Sequence, residues 1–325
     1  MNKLPVLLIF ILLGFGCSKE DDPTPLPPEE EENGIPIVEG SSITFASLEE
    51  ASTLLKTSDP YTKALSKFDI ASRTGNPAND QEQQYLDFAS SQAQEWSESE
   101  ILNLKSTITS IKTKIENMGL KVDLPEEIKL VKSTMKEEGN STSYTRNEYI
   151  VVKGNISEGD MIHELFHLFS RKSPSKRDAL YKTINFNKSN LISYPASISD
   201  MIITNPDAPF IEHTINLTIN GQPEEAVLIL MSDEAYQGSS FFGYIKQRLM
   251  LVEGGADNKT AKLVNGQPVL KELTDASDLY QKIGTNTDYT YHPEEILADH
   301  FSLLVRVQGV PDPEFLDAMK AILVQ

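Results

Sequence analysis

The chain has 325 residues, of which 39% are hydrophobic, enough to bury one large core or two ordinary ones and too many for a wholly disordered protein. Its formal net charge of −19 and pI of about 4.7 argue against a nucleic-acid partner, because phosphate binding needs clustered Lys and Arg. The one basic stretch, Arg171 to Arg177, follows a helical pattern and reads as its solvated C-terminal end.

Residues 1–16 read as a signal peptide. Lys3 supplies a positive charge, and Leu4 to Phe15 form an apolar run too short to span a membrane comfortably. Small residues Gly14 and Gly16 precede Cys17, the single cysteine, in a segment that resembles the lipobox of bacterial lipoproteins; Phe15 and the placement of Leu13 depart slightly from it. A lone cysteine makes no internal disulfide, whereas diacylation of Cys17 supplies the two-chain anchor that stable membrane attachment needs. Ser18-Lys19-Glu20-Asp21-Asp22 resembles the acidic signal that sends lipoproteins of some Gram-negative groups to the outer face of the outer membrane. The expected location is therefore the outer membrane, lipid-anchored and exposed at the cell surface, with a periplasm-facing orientation as the alternative. Residues 17–40, with Pro23, Pro25, Pro27 and Pro28 and then Glu29 to Glu32, read as an extended, self-repelling tether.

Residues 41–120 read as a helical scaffold. Ser47-Leu48-Glu49-Glu50 is a capping box, and Ile101, Leu104, Ile108, Ile111 and Ile115 recur at helical spacing until Gly119 stops the run. From 121 onward a second domain is expected. Its first strand-like runs, Ile128 to Thr134 and Glu148 to Val152, flank a polar stretch with Gly139-Asn140 that is suited to closing a hairpin between them. Residues 187–280 are left without assignment apart from alternating segments at Thr214 to Ile219 and Ala226 to Met231, turn signals at Asn220-Gly221 and Asn265-Gly266, and a mixed helix-strand pattern over Tyr236 to Val252.

His163-Glu164-Leu165-Phe166-His167 is an HExxH sequence on an amphipathic helix, with Ser157 or Asp160 as its cap. Histidines at i and i+4 share one helical face, so both imidazoles reach one zinc ion while Glu164 stands beside them as general base. The plain alternative is two histidines satisfied in a core. A catalytic zinc needs a third protein ligand. Ser170 and Ser173 stand where an extended HExxHxxGxxH motif would need Gly and His, so the third ligand is sought later in the chain.

The segment His292-Pro293-Glu294-Glu295-Ile296-Leu297-Ala298-Asp299-His300-Phe301 offers it. Glu295 as ligand places Asp299 four residues on, on the same face, to accept a hydrogen bond from a ligand imidazole, expected to be His163. Glu294 is the rival ligand, disfavoured because Ala298 stands four residues after it. Glu295 to Asp299 resembles the E-x-x-x-D pattern of gluzincins such as thermolysin, and with Phe301 and Leu303 it resembles the corresponding helix of anthrax toxin lethal factor-like peptidases. The resemblance covers only the two helices. It implies a Zn2+ cofactor held by His163, His167 and Glu295, and a tyrosine shortly before the ligand glutamate as oxyanion donor. Tyr289 is the first candidate, with Tyr291 and His292 behind it. His300 reads as structural and His213 has no assignment.

The fold expected is α+β: a helical N-terminal region, then a zincin-like catalytic domain in which a small sheet packs on the HExxH helix. The function expected is zinc-dependent hydrolysis of a peptide bond in a peptide or protein substrate, with Glu164 taking the proton of a polarised water. The rival from another class is a surface-exposed binding lipoprotein whose zinc site is structural or inactive, and hydrolysis of another amide or ester is a third reading. The partners expected are the substrate and, through the lipid at Cys17, the membrane, with no nucleic acid.

Overall fold

Strands β1 (Ile35–Val38) and β2 (Ser41–Phe45) form an antiparallel hairpin, and five helices follow before the next strand. These are α1 (Leu48–Lys56), α2 (Pro60–Ala64), α3 (Lys67–Arg73), α4 (Glu82–Ser90) and α5 (Glu98–Met118). Their starts are written locally: Ser47, Asp59, Ser66 and Ser97 each accept the backbone N–H three residues on, satisfying a donor that the first helical turn leaves open. α5 stops at Gly119, whose φ of 67° is left-handed and would strain any residue with a Cβ. The computed structural model describes residues 34–325; the expected signal peptide, Cys17 and most of the tether lie outside the described residues.

β3 (Glu127–Lys132), β4 (Ser143–Arg146) and β5 (Tyr149–Val152) complete a five-stranded sheet in the order β1-β2-β3-β5-β4. The expected hairpin between the runs at 128–134 and 148–152 does not form: β3 and β5 lie side by side in parallel. The hairpin is instead β4–β5, turned at Asn147 with φ of 46°. Parallel strands are buried on both faces, and this sheet accordingly has helices on both. Ile128, Leu130, Ile150 and Val152 point toward α5, whose Leu104, Ile108, Ile111 and Ile115 are buried with them. Val131 and Val151 point the other way, into a core with Ala51, Leu55, Tyr85 and Leu86 of α1 and α4. The anticipated division near residue 120 is therefore not a break between two bodies. β2 before the helices pairs with β3 after them, and residues 34–325 form one compact unit.

α6 (Glu158–Lys172) carries the HExxH sequence, and Ser157 caps it by accepting the Asp160 N–H at 3.0 Å. Met161, Ile162, Leu165, Phe166 and Phe169 bury its apolar face in the core that also holds the sheet. α7 (Pro174–Thr183) follows at once. The region left without assignment becomes a second sheet: β6 (Phe186–Lys188), β7 (His213–Ile219), β8 (Gln222–Met231), β9 (Lys246–Glu253) and β10 (Thr260–Ala261). A small hairpin of β11 (Leu263–Val264) and β12 (Gln267–Pro268) leads to β13 (Leu270–Lys271), which pairs with β9. Asn220-Gly221 and Asn265-Gly266 turn their hairpins with positive φ at both residues, as two-residue hairpin turns of this type require.

After α8 (Leu279–Ile283), helix α9 (Pro293–Val305) packs along α6, with Phe301 against Phe166 at 5.8 Å between ring centroids. Ser302 Oγ donates to Gly159 O at 2.9 Å, tying the far end of α9 to the start of α6. α10 (Pro313–Leu323) closes the chain. The architecture is thus mixed α/β with several small sheets, and the packing of α6 on α9 sets the site.

Candidate metal centre

The pairing of α6 with α9 faces His163 and His167 toward Glu295, and one ligand atom from each lies within 4.8 Å of the others. His163 Nε2 is 2.9 Å from Glu295 Oε2, and His167 Nε2 is 3.7 Å from the same oxygen. Ligands at about 2.0–2.1 Å around a tetrahedral zinc stand roughly 3.3 Å apart, so these separations bracket what the ion requires. His167 is fully buried and its Nε2 has no hydrogen-bond partner. An imidazole nitrogen desolvated without a partner is costly, and a cation in front of it removes that cost. The residues therefore fit a zinc ion.

Each imidazole is held from behind. His163 Nδ1 donates to Asp299 Oδ1 at 2.8 Å, the relation expected of that pair, and Thr287 donates to the other Asp299 oxygen. His167 Nδ1 donates to Glu294 Oε1 at 3.0 Å. Glu294 is itself fixed by Ser170 and Tyr181, both of which donate to it. In the sequence Glu294 stands only as a rival ligand, judged by what lies four residues after it. In the fold it is a positioning residue for the second histidine, because consecutive residues on α9 diverge around the axis and each meets a different imidazole. Two carboxylates behind two ligand histidines fix ring orientation and tautomer.

Glu164 is buried beside this group. Thr145 Oγ1 on the edge strand β4 donates to Glu164 Oε2 at 2.5 Å, and Ser143 also hydrogen-bonds the carboxylate. Burial raises its pKa above the usual carboxylate range, against the pull of His163 and the hydroxyl donors. Burial likewise pushes His167 far down, so it presents a neutral nitrogen. For His163 burial also acts downward, but the hydrogen bonds to Asp299 and Glu295 outweigh it and raise the pKa well above the ordinary value. Neither Thr145 nor Ser143 left a signal in the sequence; they follow from β4 being the strand that runs along the site.

Tyr289 lies over His163, with ring centroids 5.9 Å apart, and lines a cavity of about 200 Å3 with His163, Glu164, Asp207 and Asp299. Desolvation, then the carboxylates of Glu295, Asp207 and Glu164, hold its phenol far above 10, so the hydroxyl keeps its proton and remains a donor. Tyr291 packs edge-on against it, with centroids 4.8 Å apart, and lines an adjoining cavity. His292 turns away: its Nδ1 accepts the Glu294 N–H and caps α9. His213, unassigned from sequence, hydrogen-bonds Asp178 at 3.0 Å on the far side of Tyr181. His300 is buried against Phe315, away from the ligand face, and burial lowers its pKa to about 4.

One further carboxylate enters the site without any signal in the sequence. Asp207, in the irregular segment between α7 and β7, groups with Glu164 and His167, its Oδ1 lying 4.0 Å from His167 Nε2. Its pKa is raised well above the ordinary value by burial, then by Glu164 and Glu295. No protein family, curated protein or solved structure matches the chain.

Proposed function

We propose that this chain is a zinc-dependent peptidase whose catalytic domain is zincin-like and whose ligands are His163, His167 and Glu295. The observation that carries the reading is the buried, unpartnered Nε2 of His167 facing His163 and Glu295, with a buried glutamate, Glu164, grouped with His167 and lining a cavity beside His163. The oriented carboxylates behind both imidazoles support it, since a core that merely stored two histidines has no need of them.

A zinc ion bound there supplies Lewis-acid polarisation of a carbonyl and an acidified water at neutral pH. Glu164 is placed to take a proton from attacking water and to return it to the departing amine. Its raised pKa suits both directions of transfer, and Thr145 and Ser143 hold the carboxylate in line. Tyr289 donates from its protonated phenol toward the oxygen that gains charge. Asp299 and Glu294 keep the Nδ1 protons of the two histidines, so that both Nε2 lone pairs would face a zinc ion once it displaced the proton that His163 Nε2 shares with Glu295.

The N-terminal reading belongs to the same proposal: export, lipidation at Cys17 and display of the catalytic unit on an acidic tether, with peptides or proteins at the cell surface as substrate. Among the described residues no helix is long and apolar enough to cross a membrane. The deciding experiment uses the chain from Ser18 onward. Wild type should bind about one zinc, as a single catalytic site holds, and cleave an unstructured peptide mixture. Glu164→Gln should keep the zinc and lose turnover by roughly 10²–10⁴-fold. Zinc retained with no cleavage by wild type of any peptide tested would favour the surface-binding reading. In bacteria expressing the full chain, radiolabelled palmitate incorporated by wild type but not by Cys17→Ala checks the anchor.

A further inference from the structure

A cavity of about 320 Å3 adjoins the metal centre, and it is large enough for a small ligand or one residue of a peptide. Glu294, which holds His167 Nδ1, and Ser170, which donates to Glu294, both stand in its wall. Asp207 is shared between it and the cavity that His163, Glu164 and Tyr289 line. The metal chemistry leaves three other wall residues without a role: Arg146, Arg171 and Arg177.

Each arginine is held differently. Arg146, at the end of β4, is buried. Its Nε donates to Asp59 Oδ2 and its Nη2 to the Thr57 carbonyl, both at 2.9 Å, and its guanidinium lies over Tyr61 at 5.7 Å from the ring centroid. That leaves its Nη1 buried with no acceptor. Arg171, near the end of α6, directs Nη2 at the carbonyls of Thr145, Pro206 and Asp207 at 3.0, 3.2 and 2.9 Å. Among the described residues it forms no ion pair with a carboxylate. Arg177 of α7 is shared between Asp178 and Glu212, at 3.2 and 3.7 Å.

A guanidinium that meets only carbonyl oxygens keeps its charge, and a buried N–H without an acceptor is costly. The carboxylates of the wall are already engaged. Asp59 accepts from Arg146 and the Thr62 N–H, and Asp207 from the Thr145 N–H. Glu212 pairs with Lys188 and Arg177, while Glu294 accepts from Ser170, Tyr181 and His167. His213 and His292, also in the wall, add no charge at neutral pH, because burial lowers both to about 4. Cationic donors therefore remain to be met by something outside the chain. A carboxylate suits them, with two acceptor oxygens for guanidinium N–H groups and a single charge. The second charge of a phosphate would stand against Asp59, Asp207, Glu212 and Glu294.

We propose that this cavity binds a carboxylate group of a peptide, with Arg171 and Arg146 as its donors. That the peptide is the substrate rests on the peptidase reading above. Because the cavity shares walls with the metal centre, the bound carboxylate belongs near the bond to be cut, at the C-terminus of the peptide or on an Asp or Glu side chain.

The test is isothermal titration calorimetry on the chain from Ser18 onward, with and without zinc, in a Glu164→Gln background so that nothing is cleaved. The probes are an N-acetylated alanine–glycine peptide with a free C-terminus, its C-terminal amide, that amide with one glutamate placed within it, and glutarate alone. One or both carboxylate-bearing peptides should bind roughly 10- to 100-fold more tightly than the plain amide, as hydrogen bonds to a charged group allow. Which of them gains tells the terminal carboxylate from the side chain. Arg171→Gln should abolish the gain. Since Arg171 also ties backbone carbonyls, Ala208→Trp is run beside it: it fills the cavity from a wall position whose side chain makes no hydrogen bond, and it should abolish the gain as well. Equal affinity for all three peptides would overturn the proposal, and glutarate bound in that case would point to a free small acid instead. A carboxylate preference that persists without zinc, in a wild-type chain that cleaves nothing, would keep this site and remove the peptidase reading.

Discussion

Around Glu138 the chain neutralises its buried carboxylates with arginines, whereas around Glu295 it sets only histidines against them. In the first region Arg73 pairs with both Glu138 and Asp69, Tyr61 and Tyr85 donate to Glu138 at 2.6 and 2.7 Å, and Arg146 pairs with Asp59 at 2.9 Å. In the second, Glu164, Asp207, Glu294 and Glu295 converge, and among the described residues the ion pairs of the last three are with histidine alone. The nearby Arg171 directs its guanidinium at backbone carbonyls. Desolvating a charge is tolerable only with a counter-charge in place; the first cluster has arginines for it, whereas the second has the His163 imidazole against four carboxylates and is short of positive charge. That shortfall of positive charge is what the proposed zinc would make good.

The sharpest way to break this contrast is to remove the cation from the first cluster. Arg73→Met should destabilise the protein by about 3–5 kcal/mol, because it strands Glu138 and Asp69 in the core, and added zinc should not restore what is lost. Denaturant melts with and without zinc check it. A comparable gain is expected at the second cluster in the opposite experiment. Zinc at a thousand times its dissociation constant should raise the unfolding free energy of wild type by about 4 kcal/mol and leave His167→Ala unchanged.

Glu137 tests the edge of the first cluster. Its carboxyl accepts from Ser133 at 2.5 Å, its Oε2 has no partner, and burial raises its pKa to about 7. Below about 4.5 both folded and unfolded chains hold that proton. Between there and about 7 only the folded chain does, so stability falls as pH rises through this window and is level above it. Relative to Glu137→Gln, wild type should lose up to about 3 kcal/mol across that range, which melts at a series of pH values will show. The smallest effect belongs to Glu294→Gln. It keeps an acceptor for His167 Nδ1 but weakens its hold, and should cost roughly 10- to 100-fold in zinc affinity with little change in stability.

The parts of the fold that were legible are those with local causes. The capping box at Ser47, the stop at Gly119, the turns at Asn220-Gly221 and Asn265-Gly266, and the apolar faces of α5 and α6 depend on neighbours within a turn or two. The pairing of β3 with β5 was not legible. An apolar run states that a strand is buried, and leaves open which strand lies beside it. Within the site, the spacing of His163, Glu164 and His167, and of Glu295 and Asp299, is enough to put each set on one helical face.

By itself, then, the sequence determined two helices with chemistry on one face each, because helical periodicity converts spacing directly into direction. Only the tertiary structure decided that α6 and α9 face each other, that Glu294 stands behind His167, that Thr145 and Ser143 hold Glu164, and that Asp207 reaches the same few ångströms from a segment with no regular structure. These residues are brought together by packing between elements far apart in the chain. Packing is set by the whole core at once, and no single stretch of sequence carries its imprint.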